Sequence, residues 1–409
     1  MDKKKWHSVK FLFAAGIIAQ GAAAGKNVLA AAETDLNETA AAQENLELTD
    51  QTEIQAEDRD FFIDSAKEFC DAVNSQKTEL NETFFLNINT ALAPDVQTIL
   101  QNMDTGMTAC SWKFQKSNGG SDGKNDNDYT LFMFEAEYRD DIKVLQAFHN
   151  NGLCSKLSAS EAAMMEKAKD IVGNIISPDM NEYDKALAVH DYIIKNGRYE
   201  TAAEDADVQK SLFKTEGILM NGMGVCSSYA GAMNLLLGMA DMECVFVTGV
   251  AQNKDGIAEL HAWNKVNIGG MWYNIDAAWD DPDSDKLGDV SYSYFAVTDE
   301  TLSADHSWNR DAFPQSAVST YYNYFNYNGV VADNYADFKE IVKQCVKQSV
   351  DQTASGQKDG GDVLVRLYVQ NYDAKKYNVN FIFDLLPSAT TCVHSKIAGT
   401  SGEFVIKIN

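Results

Sequence analysis

The chain has 409 residues, which is too long for one ordinary hydrophobic core, and its 45% hydrophobic content is enough to build two or three domains. A formal net charge of −26 at pH 7 disfavours binding to nucleic acid or to an anionic membrane surface. The seven cysteines are widely spaced and include no Cys-x-x-Cys pair, which argues against a disulfide scaffold and against a zinc site. We therefore expect no nucleic-acid partner, no metal and no cofactor.

The N-terminus predicts export. The first ten residues are rich in lysine, and an apolar stretch, FLFAAGIIAQGAAA, follows at positions 11–24. This stretch is short for a membrane span, and the small residues that end at Ala30 are typical of a cleavage site. Residues 1–30 are therefore predicted to be a secretory signal peptide, and the mature chain is predicted to be secreted without stable membrane insertion. An uncleaved membrane anchor is the alternative.

Composition divides the rest of the chain into a linker and three folded units. Residues 31–57 are acidic and contain no aromatic or basic residue, which is typical of a linker. Residues 58–150 and 330–409 each predict a small α/β unit, and residues 155–315 predict a larger domain between them. The two flanking units are candidates for binding a cell surface or a protein partner.

Hydrophobic periodicity gives the elements in chain order. Helices are predicted at 61–75, 94–103, 159–176, 184–196, 226–240 and 335–350. Strands are predicted at 83–88, 108–115, 129–138, 244–250, 261–268, 271–279, 363–369 and 404–409.

The segment GMGVCSSYAGAMNLLLGMA, at 222–240, carries the first chemical signal. Gly222 and Gly224 permit a tight turn before Cys226, and the apolar residues that follow predict a buried helix. The unpaired N–H groups at a helix N-terminus favour a thiolate, the form in which cysteine is a nucleophile. A small buried core thiol is the alternative that this segment alone leaves open.

A predicted β-hairpin at 261–279 supplies partners for such a thiol. Its Gly-Gly turn has two residues, so Ile268 pairs with Met271. His261 and Asp276 then become diagonal neighbours on one face of the hairpin, close enough for imidazole and carboxylate to meet. The spacing predicts that the histidine acts as base and acid and that the aspartate orients it.

Four segments together resemble the transglutaminase-like superfamily, in particular secreted bacterial members related to the kyphoscoliosis-type peptidases. They are AVHDYIIKNGRYE, GVCSSYAGAMNLLL, HAWNKVNIGGMWYNIDAAWDDP and YSYFAVTDETLSADH, and they cover about residues 183–306. The resemblance implies an α+β, papain-like fold in which a nucleophile helix packs on an antiparallel sheet. It also implies a catalytic triad of Cys226, His261 and Asp276 that transfers an acyl group from a protein or peptide amide, with no cofactor.

Two positions depart from the family pattern without removing a triad member. Ser228 stands where the family usually has glycine, and Ala278 where it usually has threonine. Ser228 is predicted to narrow the groove beside the thiol. It is predicted to line the substrate site together with Tyr229, Trp263 and Trp279.

Several further features are interpreted as structural. The acidic loop after Trp279 lacks the glycine and glutamate of a calcium-binding loop, so it predicts no metal site. His190 lies on a predicted helix and is expected to be structural, and His306 is expected to be a rim or structural residue.

Three functions stay open on this evidence. The first is a cysteine acyl-transferase or hydrolase, and the second is a peptidase acting on cell-wall or extracellular peptides. The third is a binding or scaffold protein that has kept the fold and lost the activity.

Overall fold

The fold is described from a computed structural model. It describes residues 7–12, 62–101, 103–116, 129–203, 205–253, 256–281, 290–355, 362–395 and 400–409. The predicted acidic linker and most of the predicted signal peptide lie outside the described residues.

The strands are β1 (His7–Leu12), β2 (Phe62–Ile63), β3 (Thr83–Asn89), β4 (Met107–Lys116), β5 (Tyr129–Tyr138), β6 (Cys244–Gln252), β7 (Ala258–Ile268), β8 (Met271–Ile275), β9 (His306–Ser307), β10 (Val331–Ala332), β11 (Val363–Val369), β12 (Cys392–His394) and β13 (Gly402–Ile408). The α-helices are α1 (Ala66–Thr78), α2 (Val96–Gln101), α3 (Asp140–His149), α4 (Ala159–Ile175), α5 (Glu182–Asn196), α6 (Ala206–Ser211), α7 (Thr215–Asn221), α8 (Cys226–Met239), α9 (Asp299–Leu302), α10 (Tyr324–Tyr327), α11 (Tyr335–Ala354) and α12 (Ile382–Leu385).

The first sheet has the strand order β1-β4-β5-β3-β2. The pairs β1–β4, β4–β5 and β5–β3 are antiparallel, and β2 pairs in parallel with β3 at one edge. Phe84 and Phe134 stack at 5.0 Å on this sheet, and Phe69 of α1 packs against Phe134. β1 lies inside the predicted signal peptide, so cleavage after Ala30 would leave β4 as the edge strand.

The second sheet, with the order β8-β7-β6-β9, is antiparallel throughout. The β7–β8 hairpin pairs Ile268 with Met271, which confirms the register predicted from the Gly-Gly turn. α8 packs on β6 and β7, and α3, α4, α5 and α7 cover its other sides. Every residue of α8 except Gly238 is buried, as its apolar sequence predicts.

The N-terminus of α3 links the first unit to α7 and α8. Asp140 accepts the N–H groups of Thr215 and Glu216 at the start of α7, at 3.2 and 3.0 Å. Asn234 of α8 donates to the neighbouring Asp141 at 2.6 Å. Arg139 forms a buried ion pair with Asp141, so the carboxylate that holds α8 is itself held in place.

The third sheet, with the order β10-β11-β13-β12, packs against α11 around a core of its own. The other large core is continuous from Ile63 to Phe325 and includes α8. The chain therefore has the α+β organisation predicted from the sequence, with mostly antiparallel sheets and a buried helix lying on the central one. The proposed domain boundaries stay predictions.

Candidate active site

The turn before α8 places Cys226 at the helix N-terminus. Gly222 ends α7 in the left-handed conformation, with φ of +66°, which glycine adopts without strain. Gly224 lies so close to α8 that a Cβ atom there would stand 2.4 Å from Ser228 Oγ. Val225 is the extended N-cap residue and Cys226 is the first residue of the helix. Cys226 thus belongs to the first turn of α8, whose backbone N–H groups have no carbonyl partner within the helix.

His261 of β7 and Asp276, the residue after β8, are in contact at the open end of the β7–β8 hairpin. The distance from His261 Nε2 to Asp276 Oδ2 is 2.7 Å. Asp276 Oδ1 accepts the backbone N–H groups of Ala278 and Trp279, both at 3.1 Å. The carboxylate is therefore fixed by the chain that follows it, and the contact fixes the orientation of the His261 ring.

The Cys226 thiol lies close to the His261 side chain, and the two groups interact electrostatically. Because Asp276 occupies Nε2, Nδ1 is the ring nitrogen available to the thiol. Burial disfavours the imidazolium, but the charges of Asp276 and Cys226 outweigh it and raise the pKa of His261 to about 10. The same contacts act on Asp276: burial opposes its ionisation, yet His261 and His306 hold its pKa well below the usual range.

Asp276 has a second imidazole partner, His306. The distance from His306 Nε2 to Asp276 Oδ2 is 3.1 Å, and the distance from its Nδ1 to Asp305 Oδ1 is 2.6 Å. We call His261, Asp276, His306 and Asp305 the Asp276 cluster. Sequence reasoning had left His306 as a rim or structural residue.

Part of this cluster has the donor types of a metal site. Among the described residues, possible ligand atoms of His261, Asp276 and His306 all lie within 4.8 Å of one another. Both Nε2 atoms, however, already contact Asp276 Oδ2 directly. This arrangement fits a chain of hydrogen bonds, and the prediction that no metal is needed stays a prediction.

Tyr199 lies at the exposed edge of the site. Its backbone forms an isolated bridge with Gly224, two residues before Cys226. Its hydroxyl lies near the backbone N–H of Cys226. The side chain is 36% exposed, against 2% for Cys226 and 5% for His261, so solvent reaches the group at this tyrosine. Burial and the charges of Cys226 and Asp276 raise the pKa of Tyr199, so the hydroxyl keeps its proton.

Residues 169–277 match a sequence model of the transglutaminase-like superfamily. This part of the chain is therefore similar to that superfamily.

Two curated relatives, from Mus musculus and Homo sapiens, are both named kyphoscoliosis peptidase. They are 27% identical over 131 residues and 24% identical over 129 residues. Each alignment covers 30% of this chain and 19% of the relative, so the chain spans about a fifth of the length of these relatives.

Two solved structures are more distant. A TGase is 12% identical with a TM-score of 0.26, and the match covers 57% of this chain and 62% of that one. A candidate cysteine protease from Cytophaga hutchinsonii is 18% identical with a TM-score of 0.24, and the match covers 43% and 59%.

The side chains of the predicted substrate-lining residues differ in their hydrogen-bond partners. Ser228 is fully buried, and its Oγ accepts the N–H of Ile218 at 2.9 Å, so the hydroxyl joins α7 to α8. Tyr229 is buried and donates its hydroxyl to Asp281. Their substrate-lining roles stay predictions.

The two tryptophans pack on the histidines of the site. Trp263 is 1% exposed, donates Nε1–H to Asn274, and lies 5.1 Å from the His306 ring. Trp279 is half-buried, and its ring lies 5.3 Å from that of His261 and 4.5 Å from that of His306. Trp279 is therefore the tryptophan better placed to meet a ligand, and both roles stay predictions.

A second group of histidine and carboxylates lies beside the third sheet. His190 of α5 contacts Asp280 through Nε2 at 3.2 Å and Asp191 through Nδ1 at 3.4 Å. We call these three residues the Asp280 cluster. Asp280 lies four residues after Asp276 in the chain, but neither Cys226 nor His261 belongs to the Asp280 cluster.

Proposed function

We propose that the chain is an exported cysteine-dependent hydrolase or acyl-transferase that acts on amide bonds of proteins or peptides. Cys226 is the nucleophile, His261 the acid and base, and Asp276 the group that orients His261. The observation that carries this proposal is the series of thiol, imidazole and carboxylate at the start of a buried helix. The match of residues 169–277 to the transglutaminase-like superfamily supports the same class of chemistry.

The first half of the reaction forms a thioester. The Cys226 thiolate attacks the amide carbon, and the carbonyl π electrons move to oxygen. The C–N bond then breaks as the imidazolium of His261 passes its proton to the departing nitrogen, which leaves as an amine or as ammonia. Asp276 holds the ring in place during this transfer, since its own position is fixed by two backbone N–H groups.

Two donors are available to the oxygen of the tetrahedral intermediate. One is the backbone N–H of Cys226, which lies near the Tyr199 hydroxyl. A carbonyl oxygen that accepts this N–H would lie within reach of the phenol, which donates its own O–H to the same oxygen. Tyr199 is therefore proposed as the second oxyanion donor, a role that sequence reasoning had left unassigned.

The second half of the reaction resolves the thioester. Neutral His261 removes a proton from a water molecule or from a primary amine, and the nucleophile displaces Cys226 as a thiolate. Water gives a carboxylic acid and amounts to hydrolysis, whereas an amine gives a new amide and amounts to crosslinking. Hydrolysis of peptides is the second candidate to separate from crosslinking, and the name peptidase of the curated relatives favours it.

A paired assay tests the proposal. Purified wild-type protein is compared with Cys226→Ala for incorporation of a fluorescent primary amine into a glutamine-rich protein and for cleavage of a peptide library. Cys345→Ala is the matched control, because Cys345 is a half-buried cysteine of α11 in the third unit. We expect an activity that Cys226→Ala abolishes and Cys345→Ala keeps.

The two arms also separate the candidates. Amine incorporation indicates an acyl-transferase, and cleavage alone indicates a peptidase. Absence of both, with Cys226 alkylated no faster than a free thiol, would contradict the proposal and favour a binding protein.

The proposal also covers export of the chain and the partners of its flanking units. Among the described residues, no helix is long and apolar enough to cross a membrane. We propose that residues 1–30 direct secretion and that the flanking units bind a cell surface or a protein partner. Fractionation of expressing cells tests this, since removal of residues 1–30 should retain the protein inside the cell.

A further inference from the structure

His306 has no part in the steps above, yet it binds the carboxylate on which His261 depends. Its side chain is fully buried, with Nε2 at 3.1 Å from Asp276 and Nδ1 at 2.6 Å from Asp305. β9 brings it to this position by pairing His306 with Ala251 of β6. Both ring nitrogens thus face carboxylate oxygens and neither faces a donor.

This geometry requires a cation. A neutral imidazole has one N–H and could satisfy only one of the two carboxylates, whereas an imidazolium donates to both. Burial opposes the charge on His306, but Asp276 and Asp305 outweigh it and raise its pKa above the ordinary value. Asp305 is held in turn by the Tyr294 hydroxyl, at 2.7 Å.

The surroundings of His306 are mainly aromatic. Aromatic rings of Trp263, Trp279 and Tyr294 pack around it, with centroids at 5.1, 4.5 and 5.7 Å. The titratable groups that face it are Asp276, Asp305, Tyr294 and His261, whose ring centroid is 5.4 Å away.

We propose that His306 is a positioning residue, an imidazolium held by Asp305 that fixes Asp276 and weakens its pull on the His261 proton. The inference rests on the proposed function of Cys226. Asp276 Oδ2 contacts the Nε2 atoms of both His261 and His306. The positive charge of His306 therefore offsets part of the carboxylate's negative charge, which would otherwise hold the proton on His261. His261 then releases that proton more readily to the departing amine.

Removal of this charge has a defined signature. Without the cation, His261 holds its proton more tightly and the thiolate loses a nearby positive charge. Both the acid limb and the alkaline limb of the pH profile should therefore move to higher pH, each by about one unit. A residue that only supports the fold would lower activity at every pH without moving the limbs.

The test measures alkylation of Cys226 by iodoacetamide between pH 4 and 11, followed on the Cys226 peptide by mass spectrometry, together with kcat/KM over the same range. Wild-type protein is compared with His306→Gln and Asp305→Asn. His190→Gln is the matched control, because His190 is also buried between two carboxylates but takes no part in the Asp276 cluster.

We expect His306→Gln to move alkylation and both kcat/KM limbs upward, and His190→Gln to leave them in place. In Asp305→Asn, His306 keeps one carboxylate and loses its proton at lower pH. That variant should follow wild type at acid pH and His306→Gln at alkaline pH. Should His306→Gln not fold, Asp305→Asn carries the test by itself.

Unmoved limbs in both His306→Gln and Asp305→Asn would overturn the proposal. If wild-type protein turns over no amide while the alkylation profile still shifts in the variants, the proposed function fails but the influence of His306 on the thiol stands. If turnover depends on Cys226 and the limbs do not shift, the function stands and His306 is structural.

Discussion

His261 and His190 are both buried histidines that contact an aspartate, Asp276 at 2.7 Å and Asp280 at 3.2 Å. The two aspartates lie four residues apart, yet their electrostatics are opposite. The pKa of Asp276 is held below its usual range, whereas burial, aided by the charge of Glu403, raises the pKa of Asp280 to about 6.

The number of donors and the nearest other charge explain the difference. Asp276 receives two imidazole nitrogens on one oxygen and two backbone N–H groups on the other. Asp280 receives one imidazole nitrogen and the Tyr294 N–H, and it faces the charge of Glu403. The same residue types thus give a carboxylate with a lowered pKa near Cys226 and a carboxylate with a raised pKa beside His190.

The Asp280 cluster lies where the third unit holds the central one. Glu403 of β13 accepts the hydroxyls of Ser291 and Ser293, at 2.6 and 3.1 Å, and the Tyr292 N–H at 3.2 Å. Arg366 of β11 pairs with the other oxygen of Glu403. We therefore expect substitutions in the Asp276 cluster to change activity and those around the Asp280 cluster to change stability.

The largest effect is expected for Asp276→Asn. Asparagine keeps an oxygen for the backbone N–H groups but presents an NH₂ group to His261 Nε2, which favours the wrong tautomer. We expect kcat/KM to fall by about 10³- to 10⁴-fold. Thermal unfolding monitored by circular dichroism is the accompanying control, and a fall of less than tenfold in a folded variant would contradict the role of Asp276.

Glu403→Gln should destabilise the protein by roughly 3 kcal/mol, because it leaves Arg366 buried without its counter-charge. Urea unfolding measures the change. Glu340→Gln, an exposed change on α11 of the same unit, should stay within about 0.5 kcal/mol of wild type. Equal stability of the two variants would mean that Glu403 does not hold the units together.

Tyr199→Phe removes the proposed second oxyanion donor and should lower kcat by roughly 10²-fold with little change in KM. Tyr292→Phe serves as the control, since its hydroxyl binds Asp191 in the Asp280 cluster and should affect stability instead. An unchanged kcat in Tyr199→Phe would refute the donor role.

The smallest effect concerns pH. In the folded protein the pKa of Asp280 is raised from the ordinary carboxyl value of 3.8 to about 6, so the folded state binds this proton more tightly than the unfolded state does. Its contribution to stability is therefore present at low pH and is lost as the pH rises from about 4 to 6. Asp280→Asn should gain on the order of 1 kcal/mol relative to wild type over this interval. Urea unfolding at several pH values checks this, and a constant difference between the proteins would contradict it.

Features encoded within a short stretch were predicted well from the sequence. The Gly-Gly turn and the alternation around it gave the pairing of Ile268 with Met271, because turn length fixes hairpin register. That register also brought His261 to Asp276, only 15 residues away. The burial of α8 followed from a sequence that is apolar on all sides.

Element boundaries were predicted less well, for local reasons. The first predicted helix began at residue 61, whereas α1 begins at Ala66 after a capping box formed by Ser65 and Glu68. The residues before it, Phe62–Ile63, pair with β3 as β2. Phe62 and Ile63 fit the helical period, but in the fold they form a strand with β3 instead of the first turn of the helix.

Sequence by itself determined the buried helix behind Cys226 and the hairpin that brings His261 to Asp276, whereas the α+β class was implied by the family resemblance. Periodicity and turn chemistry express themselves over about 20 residues, so a single segment is enough to specify them.

Only the tertiary structure decided the charge environment of each group. It joined His306 to Asp276 across 30 residues, His190 to Asp280 across 90, and Ser291 to Glu403 across 112. It also brought Tyr199 to the N–H of Cys226 through a bridge at Gly224. Burial and the proximity of charges depend on which distant segments pack together, and no local pattern in the sequence encodes that.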